Sequence, residues 1–527
     1  MTDGVALLTA EEMQRADRRT IEEIGVPGLA LMESAAWACC LELMERWPAA
    51  CQQGVVIACG PGNNGADGLA MARRLHGRGI PTQVVLHGEP ASDDARAQLA
   101  MAQAAGVPTE PGPWPGGAPG VLVDALFGTG LTRPLRGAYA KTVAALTASD
   151  APCLAVDIPS GVHGSTGDVL GGSGGSAVQA DVTVTFAAPK RGHFLQPGRQ
   201  RRGSLVVADI GIETPGRSRL RLVGPEALVA AAPPADPEAH KGTFGHVLVV
   251  AGSPGKTGAA ALTAMAALRA GAGLVTLAVP TGGRDEAPAE VMTVEVPGQD
   301  GVFTEESLEA VRSLLATRDA LALGPGIGTD PRTGAFVRAL HQASIPAVVD
   351  ADALNLLAGG GLHSAAPRVL TPHPGEMRRL LPPSTGRGPD ADAEYAAALK
   401  AAGRAERPRL DQVHRLAKAS GGVGLLKGAS TLVRGEQSWL VPTGNPAMGT
   451  AGSGDVLTGV IAALLARGAS PELAARAGAW WHGAAGDRAA ATRGEPGVVA
   501  SDIADELGPA WLDAQAGRSP APFGSRP

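Results

Sequence analysis

The sequence predicts an α/β protein of two domains, each a parallel sheet with helices on both faces. Three observations carry that prediction. Short apolar runs alternate with helix-like stretches on both sides of residue 220, a pattern that builds parallel sheets. A chain of 527 residues is too long for one ordinary core. Each half also carries a glycine-rich segment running into a helix, residues 60–68 and 444–455, where backbone N–H groups and a helix N-terminus favour an anion.

The elements follow in order. Thr9, Ala10, Glu11 and Glu12 spell a capping box that opens a helix reaching about Ile24. Pro27 starts a second helix, through Trp47. Strands are expected at 55–59, 83–86, 121–126, 153–158, 182–186 and 204–210. From Glu213 to about Arg221 the chain turns polar with Pro and Gly, which divides a domain at 9–214 from one at 221–515. The pattern then restarts with a strand at 246–252, a small-residue helix and a strand at 274–279. Further strands are expected at 320–324, 347–351, 368–371, 423–428 and 431–435, the last two forming a hairpin. Residues 382–408, rich in Pro, Gly, Arg and Ala, read as a mobile surface insertion.

Composition narrows the class. Aromatic residues make up only 3%, so the cores must be built from Ala, Val, Leu and Ile. A net charge of −6 gives no reason to expect nucleic acid as a partner. Five cysteines in the first third, with no CxxC pair, read as buried thiols in a reducing compartment. With no signal-peptide pattern and no run of eighteen apolar residues, the expected setting is cytoplasmic, without a membrane partner.

Two groups of strand-end loops carry chemistry. In the first half, Gly60, Gly62 and Gly65 satisfy G-x-G-x-x-G, but the next strand ends in His87 and Gly88, not in the acidic residue that holds a ribose. The loop instead holds Asn63, Asn64 and Asp67, which suit a monovalent cation or a ribose-phosphate. The bland alternative is a glycine-rich turn with helix-capping Asn and Asp. Asp124 and Asp157 close two further strands, and open α/β sheets gather ligands at such ends.

In the second half, Gly255, Lys256 and Thr257 imitate the end of a P-loop, yet position 250 is Val where that motif needs Gly. Segments 324–328, 350–355 and 371–376 end three strands, and Lys427 to Thr431 lies on the hairpin. Taken singly, His373 reads as a structural histidine and Glu376 as a first-turn helix carboxylate. Beside Gly454 and Asp455, these loops form a phosphoryl-transfer constellation in which a carboxylate orients or deprotonates an acceptor hydroxyl.

The motifs GPGNNGADGLAMARRL, DALFGTGL and DIPSG, with LME at 31–33, resemble the NAD(P)H-hydrate epimerase family over residues 9–214. That resemblance implies a Rossmann-like three-layer αβα sandwich which interconverts the R and S hydrates of NADH and NADPH. It implies potassium on Asn64, Asp124 and Ser160. Substrate would lie on Asn63, Asn64, Gly65, Ala66 and Asp67 and on Gly128, Thr129, Gly130, Leu131, Thr132, Arg133 and Pro134, with Asp157 as acid/base. Ala66 departs from the glycine common in the family.

The motifs HKGTFGHVLVVAGS, GPGIG, DADALN, TPHPGE, KGAST and GNPAMGTAGSGD resemble the ADP-dependent NAD(P)H-hydrate dehydratases over residues 221–515. That likeness implies a ribokinase-like αβα domain which phosphorylates the hydrate from ADP with magnesium and then eliminates phosphate. Lys427, Gly428, Ala429, Ser430, Thr431 and Gly454 would contact nucleotide. Ala259, Gly326, His373 and Asp455 would contact the hydrated cofactor, with Asp455 as base. A homo-oligomer is also implied. Two rivals stay open: a ribokinase-type small-molecule kinase, and a first domain reduced to a binding or scaffolding module.

Overall fold

The computed structural model describes residues 4–214, 218–284, 286–381, 407–519 and 523–526. The chain divides into two compact units, one built mainly on Ala6–Ser218 and one on the chain from Arg219. Of the insertion expected at 382–408, residues 382–406 lie outside the described part, and 407 and 408 already open the helix Arg407–Ser420.

The first unit opens on α1 (Ala10–Arg19), whose capping box is complete: Glu12 N donates to Thr9 Oγ1 at 3.1 Å and Thr9 N to the Glu12 carboxylate at 2.8 Å. The helical path continues to Ile24, but Thr20–Ile24 winds as a π-helix ended by Gly25 at φ +87°. Then come α2 (Gly28–Arg46), β1 (Val55–Cys59), α3 (Asn63–His76), β2 (Thr82–Leu86), α4 (Asp93–Ala104) and β3 (Thr109–Pro111). After them follow β4 (Val121–Ala125), α5 (Ala138–Ala148), β5 (Cys153–Val156), β6 (Val182–Phe186) and β7 (Ser204–Ala208). The sheet is parallel in the order β7-β6-β5-β4-β1-β2-β3, and the short strand Phe523–Arg526 pairs beside β7. Strand order reverses between β1 and β4, which opens a crevice at their carboxyl ends.

One expectation needs correcting. Asn63, Asn64 and Asp67 are not in a loop: α3 starts at Asn63, directly after Gly62 in extended conformation, so all three occupy its first turns. The early start is possible because Gly65 lies against the turn. A Cβ there would sit 1.8 Å from the Gly60 carbonyl oxygen.

The second unit runs through β8 (His246–Val250), α6 (Thr257–Arg269), β9 (Leu274–Pro280), β10 (Met292–Val296), β11 (Ala320–Leu323) and β12 (Ala347–Val349). It continues with α7 (Ala351–Leu357), β13 (Arg368–Leu370), α8 (Pro374–Leu380), β14 (Val423–Leu426), β15 (Thr431–Arg434) and β16 (Ser438–Val441). Two long helices, α9 (Ser453–Ala466) and α10 (Pro471–Arg493), follow. From β14 to β10 the order is β14-β13-β12-β11-β8-β9-β10, all parallel. The hairpin β14-β15 and strand β16 add antiparallel at one side. Nearly every residue of α9 is buried, and Gly459 lets it close on α6: a Cβ would meet the Thr263 carbonyl oxygen at 2.2 Å. An Ala- and Gly-rich core packs through such close backbone approach.

Strands β3 and β10, like β16, have no counterpart among the expected strands. The first is three residues of Thr, Glu and Pro without an apolar run, and the second is an edge strand with mostly exposed side chains. Both are held by pairing with an inner neighbour, β2 and β9 respectively. Among the described residues no helix is long and apolar enough to cross a membrane.

Candidate active sites

The crevice of the first unit opens into a cavity of about 700 Å³. Its walls include Asn63, Asn64 and Asp67 from α3, Gly128 to Arg133 after β4, Asp157 after β5 and Asp17 from α1. Gly65, Ala66 and Pro134 are not on its wall; Gly65 and Ala66 are buried behind the first turn of α3. Most of the expected substrate residues are thus gathered at one place.

Asp157 sits at φ +67°, a backbone conformation rare for a residue with a side chain, and such strain concentrates at functional sites. Its Oδ1 accepts from Lys190 Nζ at 2.7 Å and Thr185 Oγ1 at 2.9 Å, and its Oδ2 accepts from Thr129 N at 3.2 Å. Lys190 is itself buried and also donates to Thr185 Oγ1 and the Phe186 carbonyl. Burial alone would raise the Asp157 carboxyl, but the Lys190 ammonium wins and holds it below its usual range. Behind it, His193 Nδ1 accepts from Lys190 N, so Nε2 carries the proton toward the Asp157 carbonyl at 2.9 Å. Burial, then the nearby Lys190 charge, pushes His193 down to about 3, so the ring is neutral.

Asp124 is fully buried. Its Oδ1 accepts from Ser160 Oγ and its Oδ2 from Ser160 N, both at 2.7 Å. Burial pushes its carboxyl up to about 6. Asn64 has a buried Nδ2 without a hydrogen-bond partner. Carboxamide oxygen and nitrogen interchange by a flip. A carboxamide oxygen, a buried carboxylate and a hydroxyl are donors of the kind that suits a monovalent cation. The capping alternative fails for Asn63, whose Oδ1 accepts from Ser92 Oγ at 3.1 Å while α3 has no side-chain cap.

The second unit has its own switch point, between β8 and β11. Gly252 N donates to the Pro325 carbonyl, and Ser253 Oγ to the Gly326 carbonyl, both at 2.8 Å. Gly326 has φ +61°, and a Cβ on it would lie 2.9 Å from Ala259 Cβ and 2.7 Å from the Lys256 carbonyl oxygen, so the two expected substrate positions adjoin. Lys256 Nζ reaches Asp352 Oδ2 at 2.8 Å, an oxygen that also accepts from Gly328 N at 3.1 Å.

Deeper in, buried Asp350 accepts from Lys427 Nζ at 2.7 Å and from Thr458 Oγ1 at 2.8 Å. A Cβ on Gly454 would lie 3.2 Å from Lys427 Nζ and 3.6 Å from Asp350 Oδ2. Lys427 therefore stands against the N-terminus of α9, which has Gly452 at φ +87° as its cap and no side-chain capping bond. Gly428 and Ser430 take positive φ in the turn after it, and Thr431 Oγ1 donates to the Gly428 carbonyl at 3.1 Å. The Ala429 carbonyl accepts from Arg409 at 2.8 Å.

Asp455, half-buried in the first turn of α9, is pushed up to about 7 by burial and then by the like charges of Asp350 and Asp352, against the pull of Lys427. His373 is largely engaged as a cap: its Nδ1 accepts from Gly375 N at 2.9 Å, and its own N–H donates to Glu376 at 2.8 Å. The structural reading of that histidine is right locally, although half of the ring stays exposed. Among the described residues no group of three or more His, Cys, Asp or Glu forms a metal cage.

Lys190, Thr185, His193 and Thr458 are absent from the expected sites. Lys190 and His193 follow a strand end, as the expected site residues do, so strand-end position was the available signal; Thr185 and Thr458 lie inside apolar elements and carried none.

A family model described as NAD(P)H-hydrate dehydratase matches residues 247–509, and one described as YjeF-related protein N-terminus matches residues 28–192. Similar relatives include the bifunctional NAD(P)H-hydrate repair enzyme Nnr of Moorella thermoacetica, 39% identical over 95% of this chain and 96% of that one. The enzyme of the same name from Salinibacter ruber is 38% identical over 95% of both chains, and that of Coxiella burnetii 35% over 94% and 97%. Among solved structures, the ADP/ATP-dependent NAD(P)H-hydrate dehydratase from Bacillus subtilis is 27% identical, over 55% of this chain and 97% of that chain, with a TM-score of 0.43.

Proposed function

The chain belongs to the family of bifunctional NAD(P)H-hydrate repair enzymes, and from that premise we propose how its residues divide the work. The first unit epimerises the R and S hydrates of NADH and NADPH. The second dehydrates the S hydrate at the expense of ADP, releasing AMP and phosphate. The rival kinase would stop at a phosphorylated product; family membership favours the complete sequence over it.

In the second unit a phosphoryl group passes from the nucleotide to the ring hydroxyl, and the ring then expels phosphate. Phosphate leaves far more readily than hydroxide, which is the physical reason to use a nucleotide. The observation that carries this reading is Asp455, a carboxylate with a value near 7 at an uncapped helix N-terminus facing Lys427. In our reading Asp455 takes the hydroxyl proton, while Lys427 to Thr431 and Gly454 hold the diphosphate and Ala259, Gly326 and His373 the hydrated cofactor. Magnesium, lacking a protein cage among the described residues, would arrive on the diphosphate.

For the first unit, the unpartnered amide of Asn64 and the buried Asp124 carboxylate support potassium at Asn64, Asp124 and Ser160. The ion would supply fixed positive charge beside the cavity. Asp157, kept ionised by Lys190, serves as a base at the hydrated ring, and Asn63, Asn64 and Asp67 with Gly128 to Arg133 form the substrate walls. We further take the protein to act in the cytoplasm as a homo-oligomer.

The test uses mixed NADH hydrates, ADP and magnesium, following the absorbance of reduced nicotinamide. Full recovery supports both activities, recovery of one epimer a silent first unit, and none the kinase rival. Asp455→Asn is expected to lower dehydration by about 10²–10⁴-fold with epimerisation intact.

A further inference from the structure

The cavity of the first unit holds more carboxyl groups than one acid/base requires. Asp17, Asp67, Asp94 and Asp157 line it together, and Lys190 is hydrogen-bonded to Asp157 alone among them. Asp67 is 9% exposed, one turn into α3, and none of the hydrogen bonds among the described residues reaches its carboxyl. The titratable groups whose charge bears on it are Asp17 from α1, Asp157 beyond β5, and the buried thiols of Cys39 on α2 and Cys59 on β1, all of them acids. Arg133 and Lys190 line the same cavity, but among the described residues neither is paired with Asp67. A buried carboxyl beside two other carboxyls and no ammonium of its own is stable only when it keeps its proton. Burial first, then Asp157 and Asp17, accordingly drives Asp67 well above the usual carboxylate range, and burial does the same to Asp17 in smaller degree. Neighbouring carboxyls with values driven apart are the arrangement that separates an acid from a base at one pH.

We propose that Asp67 is a second acid/base of the epimerisation, donating the proton that departs with the ring hydroxyl while Asp157 receives the proton of the returning water. The inference rests on the epimerase reading of the first unit. The Asp67 carboxyl gives its proton to the hydroxyl oxygen, the carbon–oxygen bond breaks with its electron pair, and water departs. The ring nitrogen's lone pair forms a double bond to that carbon, leaving a ring cation. Water adds to the other face of the carbon, and its surplus proton passes to the Asp157 carboxylate. Proton exchange with solvent through the open cavity returns Asp157 to its ionised form and Asp67 to its protonated form. Nothing is oxidised or reduced.

The measurement is R-to-S conversion by the full chain with ADP omitted, as kcat and KM across pH. Asp67 must be protonated to act, so wild-type kcat should fall on the alkaline side. Asp67→Asn should lower kcat by about 10²–10⁴-fold, change KM little, and abolish that alkaline limb. Asp17→Asn removes a like charge from beside Asp67 and should move the limb to lower pH. A carboxylic-acid infrared band at neutral pH, present in the wild type and missing in Asp67→Asn, would support the assignment without reference to activity. A raised KM with kcat and pH profile unchanged in Asp67→Asn would overturn it, as would an alkaline limb indifferent to Asp17→Asn. If the wild type fails to interconvert the epimers at all, the epimerase reading falls instead.

Discussion

Single carboxylates govern both sites through their surroundings. Asp455 acts as a base only when ionised, and burial with Asp350 and Asp352 places it near 7. Dehydration should therefore rise with pH through about 7 and level off above it. Asp350→Asn removes a like charge and releases Lys427, and both changes lower Asp455, so the rising limb should move to more acidic pH; a limb that stays put would remove Asp455 from the role. The sequence displayed Asp455 and Asp157 because the first ends and the second opens a recognisable motif. It hid Lys190, whose importance comes from a side chain folding back to Asp157 across 33 positions. Replacing Lys190 by Met leaves a buried carboxylate unpaired, at a cost of about 3–5 kcal/mol. The expected result is a lower melting temperature for the first unit together with lost epimerisation, and partial recovery in Lys190→Arg would identify the charge as the cause.

At the level of elements, the two active sites depend on how closely backbone segments approach. Gly65 rests on Gly60, whereas Gly62 has open space around its Cα and an extended φ that any residue adopts. Gly65→Ala should therefore cost about 3 kcal/mol or more and abolish epimerisation while dehydration persists. Gly62→Ala should leave thermal unfolding of the first unit nearly unchanged; equal effects of the two would mean that the turn, not the contact, sets the geometry. The glycine pattern of that motif was legible in the sequence, and so were the strands with apolar runs. The true start of α3 was not, because Asn-Asn-Gly is poor helix sequence and only the tertiary contact of Gly65 makes it helical. The π-helical end of α1 escaped for the same reason, since periodicity marks a helix without distinguishing its winding.

Across the whole molecule, the two sites sit in separate units, each at its own sheet's switch point and each with its own charge arrangement. The leading charges that act on Asp157 and on Asp455 come from each one's own unit. Independence of this kind has a sharp consequence for mixtures. Asp157→Ala should consume the S hydrate and leave the R hydrate standing, because its dehydratase is intact and its epimerase is not. Asp455→Asn should equalise the epimers without restoring reduced nicotinamide. Combined in one tube, the two variants should repair the entire mixture, since the S hydrate made by one chain can diffuse to the other. A rate for the mixture close to that of the wild type at equal site concentration would mean that physical fusion adds little beyond matched supply. Incomplete repair even at high protein concentration would mean that the epimer is passed within a chain and that the sites are not independent after all.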